Sequence, residues 1–171
     1  MNKIRFFKMI LFLIFPGLLF GHGPTRQKVS ESVIINGEAG KAWSLISNLA
    51  KIGDWHSQYK SIKSKGEDLQ PVSMFAGGPG VIQILALDPE KKLLKYRLKK
   101  PGIIPVNNYS GRLRVEQIDS DKIKITYKGA FYRKYLNNDP PPEENDDAAI
   151  AAVSKMYIET LNKFGKQISR K

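Results

Sequence analysis

Two histidines, no cysteine and a repeated alternation of cationic with apolar residues set the chemistry this chain can offer. His56 directly follows Trp55, which places an imidazole beside a large apolar ring. An imidazole titrates near neutrality and can act as acid, base or metal ligand, or simply close a loop. Acid or base work needs a carboxylate or phenol within hydrogen-bonding reach. Asp54, Glu67, Asp88 and Tyr109 are the candidates. Packing is the plainer role, and no residue is assigned to catalysis. His22 offers a second possibility: as the first residue of a processed chain it would set a free α-amine beside its imidazole, a pair able to chelate copper. With only His56 to join it, a full set of ligands is missing, so neither a metal nor a cofactor is assigned.

The cations are more informative. Lys95, Arg97 and Lys99 alternate with Leu94, Tyr96 and Leu98; Arg112 and Arg114 alternate with Gly111, Leu113 and Val115; Lys122, Lys124 and Lys128 alternate with Ile123, Ile125 and Tyr127. A period of two places each set on one face of a strand. If these strands are neighbours, the eight cations form a positive face that steers an acidic partner into contact. An ordinary solvated sheet face, with lysines deterring edge association, has the same pattern. Gly77-Gly78-Pro79-Gly80 lacks the Lys-Ser/Thr and helix start of a phosphate loop and reads as a turn between strands.

The elements that must position these residues follow from the same periodicities. Residues 28 to 35 read as a strand ended by Asn36-Gly37, and 39 to 49 as a helix that Gly53 breaks before an irregular segment at Asp54-Trp55-His56. Strands are expected over 59–65, 81–87, 93–99, 109–118 and 122–131, with short connections that favour antiparallel pairing. After Pro140-Pro141-Pro142, the acids Asp146 and Asp147 suit a helix start. Ile150, Val153, Tyr157, Leu161, Phe164 and Ile168 then mark one long amphipathic helix. Its early alanines make that end slim. A one-sided sheet must bury its apolar face, and the last helix is the surface available to cover it, which gives an α+β grip.

The N-terminus has the three parts of an export signal: cationic Lys3, Arg5 and Lys8, apolar Met9 to Phe15, and small Gly21 before the cut. The expected organisation is a signal peptide over 1–21 and one domain over 22–171. The apolar stretch is shorter than the roughly 20 residues of a spanning helix and carries Pro16, so no stable membrane span is expected. Losing the three leader cations lowers the net charge from +12 to +9. That charge points to acidic partners. Export makes nucleic acid a poor candidate, and the domain is expected to be an exported monomer.

Several motifs, in order, resemble the START-like or helix-grip superfamily, which includes polyketide cyclase-like proteins. They are His22-Gly23-Pro24-Thr25 with Gln27-Lys28-Val29, the Ala42-Trp43 helix leading to Trp55-His56, and Pro105-Val106 with Tyr109. Tyr127-Lys128-Gly129-Ala130-Phe131 and the acidic start of the last helix complete the set. The chain is most similar to the exported MxaD-type branch. The resemblance implies a curved antiparallel sheet around the C-terminal helix, with a cavity between them for a small apolar ligand. Trp55, His56, Tyr96, Tyr109, Tyr127, Phe131 and Tyr157 are the residues expected to line it. The branch implies a periplasmic helper of methanol dehydrogenase and its acidic cytochrome c. The function expected is therefore a non-enzymatic accessory protein docking through its basic face; the alternative is a cyclase-like enzyme or ligand carrier working inside the cavity.

Overall fold

Apolar–cationic alternation makes strands of the chain's centre, and the computed structural model shows how they assemble. It describes residues 23–65, 68–73 and 80–169. The expected signal, His22, Glu67 and Gly77 to Pro79 lie outside the described residues. The elements run β1 (Gln27–Asn36), α1 (Ala39–Ser47), α2 (Ile52–Trp55), β2 (Tyr59–Lys65), β3 (Asp68–Ser73), β4 (Val81–Asp88), β5 (Leu93–Lys100), β6 (Val106–Gln117), β7 (Lys122–Arg133) and α3 (Asp146–Ser169). Among the described residues the strands form one sheet of order β1-β7-β6-β5-β4-β3-β2, with neighbours antiparallel. This is the expected helix-grip α+β fold: a curled half-barrel with a long C-terminal helix against its inner face.

Helix α3 begins where expected because its first turn is capped. Asn145 Oδ1 accepts the Ala148 N–H at 2.8 Å, and Asp146 and Asp147 lie at the positive end of the helix dipole. Arg133 at the end of β7 donates to Asp146 at 2.9 Å, fastening the helix start to the sheet. The buried stripe of α3 holds Ala149, Val153, Met156, Tyr157, Thr160, Leu161 and Phe164. It packs against β1, β7 and α2. Removing each large apolar side chain from water contributes about 1.5–3 kcal/mol.

Two expectations change. Residues 52–55 form the short helix α2 rather than an irregular segment, and Gly53 sits inside it. Gly53 is needed for a close approach: a Cβ there would stand 1.9 Å from the Lys60 carbonyl oxygen. Strand β3 was not anticipated; its sequence Asp68-Leu69-Gln70-Pro71-Val72-Ser73 has little apolar periodicity.

Strand β6 starts earlier than its alternation suggests, because a bulge interrupts it. Between Asn107, opposite Tyr132, and Ser110, opposite Ala130, β6 has one residue more than β7. Asn108 takes the extra step at φ 46°, in the left-handed region that asparagine tolerates better than most residues. Val106 and Tyr109, three apart, consequently both point into the core.

Candidate functional site

The inner face of β5, β6 and β7 brings Tyr96, Tyr109 and Tyr127 together with Tyr157 from α3, all buried. Their hydroxyls bond to one another. Tyr96 Oη lies 3.1 Å from Tyr109 Oη and also bonds Tyr127 Oη; Tyr109 Oη in turn bonds Tyr157 Oη. The Tyr127 and Tyr157 rings stack at 3.8 Å between centroids, and Phe131 stacks on Tyr109. The space for this cluster comes from two glycines, Gly111 and Gly129, where the neighbouring strand positions carry side chains.

His56 joins the cluster at one end. Its Nδ1 accepts the Gln58 N–H at 3.1 Å, and its Nε2 faces Tyr127 Oη at 3.4 Å. An accepting Nδ1 leaves the proton of a neutral ring on Nε2. That proton points to Tyr127 Oη, which links the imidazole to the connected hydroxyls of Tyr96, Tyr109 and Tyr157. His56 stacks on Tyr59 at 4.4 Å. Burial, reinforced by the nearby Lys163 ammonium, lowers its pKa to about 3, so the ring is neutral at physiological pH. Burial raises Tyr59 to about 12 and holds Tyr96, Tyr109, Tyr127 and Tyr157 well above their ordinary value of 10.0.

The backbone that carries Trp55 and His56 is held by α3. Lys163 Nζ donates to the carbonyls of Gly53 at 2.6 Å and His56 at 3.0 Å. The Ser57 N–H donates to Thr160 Oγ1 at 3.2 Å, and Ser57 Oγ donates to the Met156 carbonyl. Sequence reasoning missed Lys163, Thr160, Ser57 and Tyr59. Only the polar interruption of the α3 stripe at Thr160 and Lys163 could have signalled the first two.

The seven residues expected around a ligand are therefore packed mainly against one another. Trp55, His56, Tyr96 and Tyr127 border a void of about 20 Å³ with Tyr59 and several aliphatic side chains. Tyr109, Phe131 and Tyr157 are buried beside it and do not line it. Such a space admits about one water, well below the several hundred cubic ångströms of a small-molecule site. Trp55 Nε1 is buried with no hydrogen-bond acceptor among the described residues. Neither Asp54 nor Asp88 bonds the imidazole, and Tyr109 reaches it only through Tyr96 and Tyr127. As packed among the described residues, the imidazole has Tyr127 Oη as its side-chain partner and through it joins the connected phenols.

The outer face carries the predicted cations. Lys95, Arg97, Lys99, Arg112, Arg114, Lys122 and Lys128 are exposed and Lys124 is half-buried, on three neighbouring strands. Among the described residues no three His, Cys, Asp or Glu side chains cluster as a metal site, and no helix is long and apolar enough to cross a membrane.

Solved structures share this architecture. XoxI from Bacillus cereus is 18% identical, with a TM-score of 0.70 over 83% of this chain and 95% of its own. The Zhui aromatase/cyclase from Streptomyces sp. R1128 is 17% identical, with a TM-score of 0.68 over 85% and 95%. Truncated norcoclaurine synthase from Thalictrum flavum is 13% identical, with a TM-score of 0.67 over 88% and 98%. At these identities the likeness is one of fold. No curated protein matches the sequence. The profile of the polyketide cyclase / dehydrase and lipid transport family matches residues 26–168, nearly the whole described chain, and the protein belongs to that family.

Proposed function

We propose that this chain is an exported, non-enzymatic accessory protein of the MxaD-type branch, docking through its outer sheet face onto an acidic redox partner. By resemblance that partner is a periplasmic methanol dehydrogenase or its cytochrome c. The observation carrying this reading is a contrast between the two faces of one sheet. Among the described residues the inner face leaves a void of about 20 Å³, while the outer face displays eight cations of which only Lys99 and Arg114 have an acidic partner. Exposed charge of one sign accelerates encounter with a complementary surface and loses its effect as salt screens it. The test is binding to the purified dehydrogenase and cytochrome pair across a salt series. Affinity should fall steadily with salt; salt-insensitive binding, or none, overturns the proposal.

A second reading, a cyclase-like enzyme or carrier of a small apolar ligand, draws on His56 and the tyrosine hydroxyls that border the void. It requires the aliphatic side chains around that void to repack and open it. Saturable binding of an aromatic ligand, with shifts confined to Trp55, His56 and Tyr127, is the result that favours it.

A further inference from the structure

The strand registers bring three cations of the outer face into a single row. Lys128 on β7 is the register partner of Arg112 on β6, and Arg112 is the partner of Lys95 on β5. Ser30 on β1 stands opposite Lys128 at the end of the row. Like charges directly opposite one another on neighbouring strands repel, so folding alone gives no reason to place them together. Nearby cations of the same face are relieved. Arg97 donates to Gln83 at 2.6 Å, Lys99 lies 2.8 Å from Asp68, and Arg114 lies 3.3 Å from Glu116. Among the described residues, Lys95, Arg112 and Lys128 have no acidic partner.

The three cations, with Lys28 of β1 at the edge, wall an open depression of about 620 Å³. Leu85 of β4 lines its side and is 53% exposed, which leaves apolar surface open beside the charge. The volume is in the range that holds a short segment or small molecule and exceeds what an inorganic anion fills. Cations beside an apolar ledge match carboxylates beside an apolar side chain.

We infer that the Lys95–Arg112–Lys128 row is the seat of the docking face and receives a protruding acidic segment of the partner protein, in which carboxylates flank an apolar side chain that rests on Leu85. The inference rests on the docking reading above and narrows it. A diffuse field would weigh the outward cations alike, whereas a seat makes these three and Leu85 count for more.

A synthetic acidic peptide with one central leucine is the probe, followed by amide chemical shifts of the full protein. Shifts should concentrate at Ser30, Leu85, Lys95, Arg112 and Lys128. Arg112→Glu should weaken the peptide about tenfold or more, the size of effect expected when a close charge pair turns repulsive. Lys122→Glu, outside the row, should weaken it by less than about twofold, as screened rim charges do. Leu85→Ser, or a glycine in place of the peptide's leucine, should weaken binding several-fold even at high salt. Arg112→Lys should retain most of the affinity. Equal losses for Arg112→Glu and Lys122→Glu sink the seat while leaving salt-dependent docking to the whole partner intact. Binding to vesicles with anionic headgroups but not to the peptide overturns the inference in favour of a lipid surface. Salt-insensitive or absent binding to the whole partner removes the docking reading itself.

Discussion

Gly111 on β6 and Gly129 on β7 are register partners, and a Cβ on either would strike a tyrosine hydroxyl. At Gly129 it would lie 2.1 Å from Tyr157 Oη, and at Gly111 it would lie 2.7 Å from Tyr109 Oη. The tyrosine cluster occupies the room that two side chains have vacated. Gly129→Ala should therefore destabilise the protein by about 1–3 kcal/mol, the usual cost of overpacking a filled core. Removing the opposing oxygen in Gly129→Ala/Tyr157→Phe should recover part of that loss. Urea midpoints of the two single variants and the double variant form the cycle; strictly additive losses would show that the two positions are not in conflict.

His56 makes stability depend on pH in a defined direction. Its folded pKa is lowered to about 3, whereas an unfolded imidazole titrates near 6.5. Between those values the unfolded chain holds a proton that the folded chain does not. Stability is thus fully present above pH 6.5 and falls as pH is lowered through that window, by up to about 1.4 kcal/mol per unit. His56→Gln should flatten the part of the profile between about pH 6.5 and 5, above the range where carboxylates titrate. Parallel profiles for the two proteins count against the assignment.

Lys163 satisfies two carbonyls at once, those of Gly53 and His56. Lys163→Met keeps the unbranched apolar stem and strips the donor, leaving both acceptors short of a partner. A loss of about 1–3 kcal/mol is expected. The same change removes a positive charge that opposes the imidazolium, so the His56 pKa should rise, while burial still holds it below its ordinary value. Imidazole resonances followed through a pH titration separate the two effects.

The buried phenols respond at the other end of the scale. Their folded pKa values are raised, so stability is fully present below about pH 10 and is lost as pH climbs further and the unfolded chain ionises. Tyrosinate absorbance from Tyr59, Tyr96, Tyr109, Tyr127 and Tyr157 should appear together with the loss of helical signal. Gradual ionisation of these phenols in a protein that keeps its helix signal contradicts this.

The packed interior also makes a prediction about ligands. A benzene-sized probe should find no saturable site in the wild type. Leu94→Ala, at the border of the void, should cost about 2–5 kcal/mol and create a dry space that accepts such a probe. Tight binding to the wild type instead would bring the carrier reading forward.

Which parts of the molecule could be read from residues alone follows from how locally each is encoded. Strands β5, β6 and β7 were legible because apolar and cationic residues alternate along them, and the same alternation assigned Lys95, Arg112 and Lys128 to the outer face. Helix α3 was legible from its stripe and its acidic first turn. Strand β3 was not, because Pro71 and its polar neighbours are held by pairing with β2 rather than by their own periodicity. The hydrogen-bonded order of His56, Tyr127, Tyr96, Tyr109 and Tyr157 depends on contacts between residues far apart in sequence, and no local spacing records it. The size of the void depends on how the aliphatic residues around it fill space, which a list of aromatic residues does not reveal. Gly53 misled for a related reason: its neighbour in space is Lys60, and only the folded chain shows that it is there to be approached.

The bulge at Asn108 fixes which side of β6 is which. Upstream of it Val106 faces inward, and downstream Tyr109, Gly111, Leu113 and Val115 do, a parity that unbroken alternation from Val106 could not produce. Deleting that one residue would force the short upstream piece to exchange faces, turning buried Val106 toward solvent, because Ser110 to Gln117 are held in register by β5 and β7 on both sides. One asparagine thus lets the start of β6 and its long downstream run seal the same side of the sheet. Insertions or deletions near residues 107–110 should be far less tolerated than their place at the end of a strand suggests.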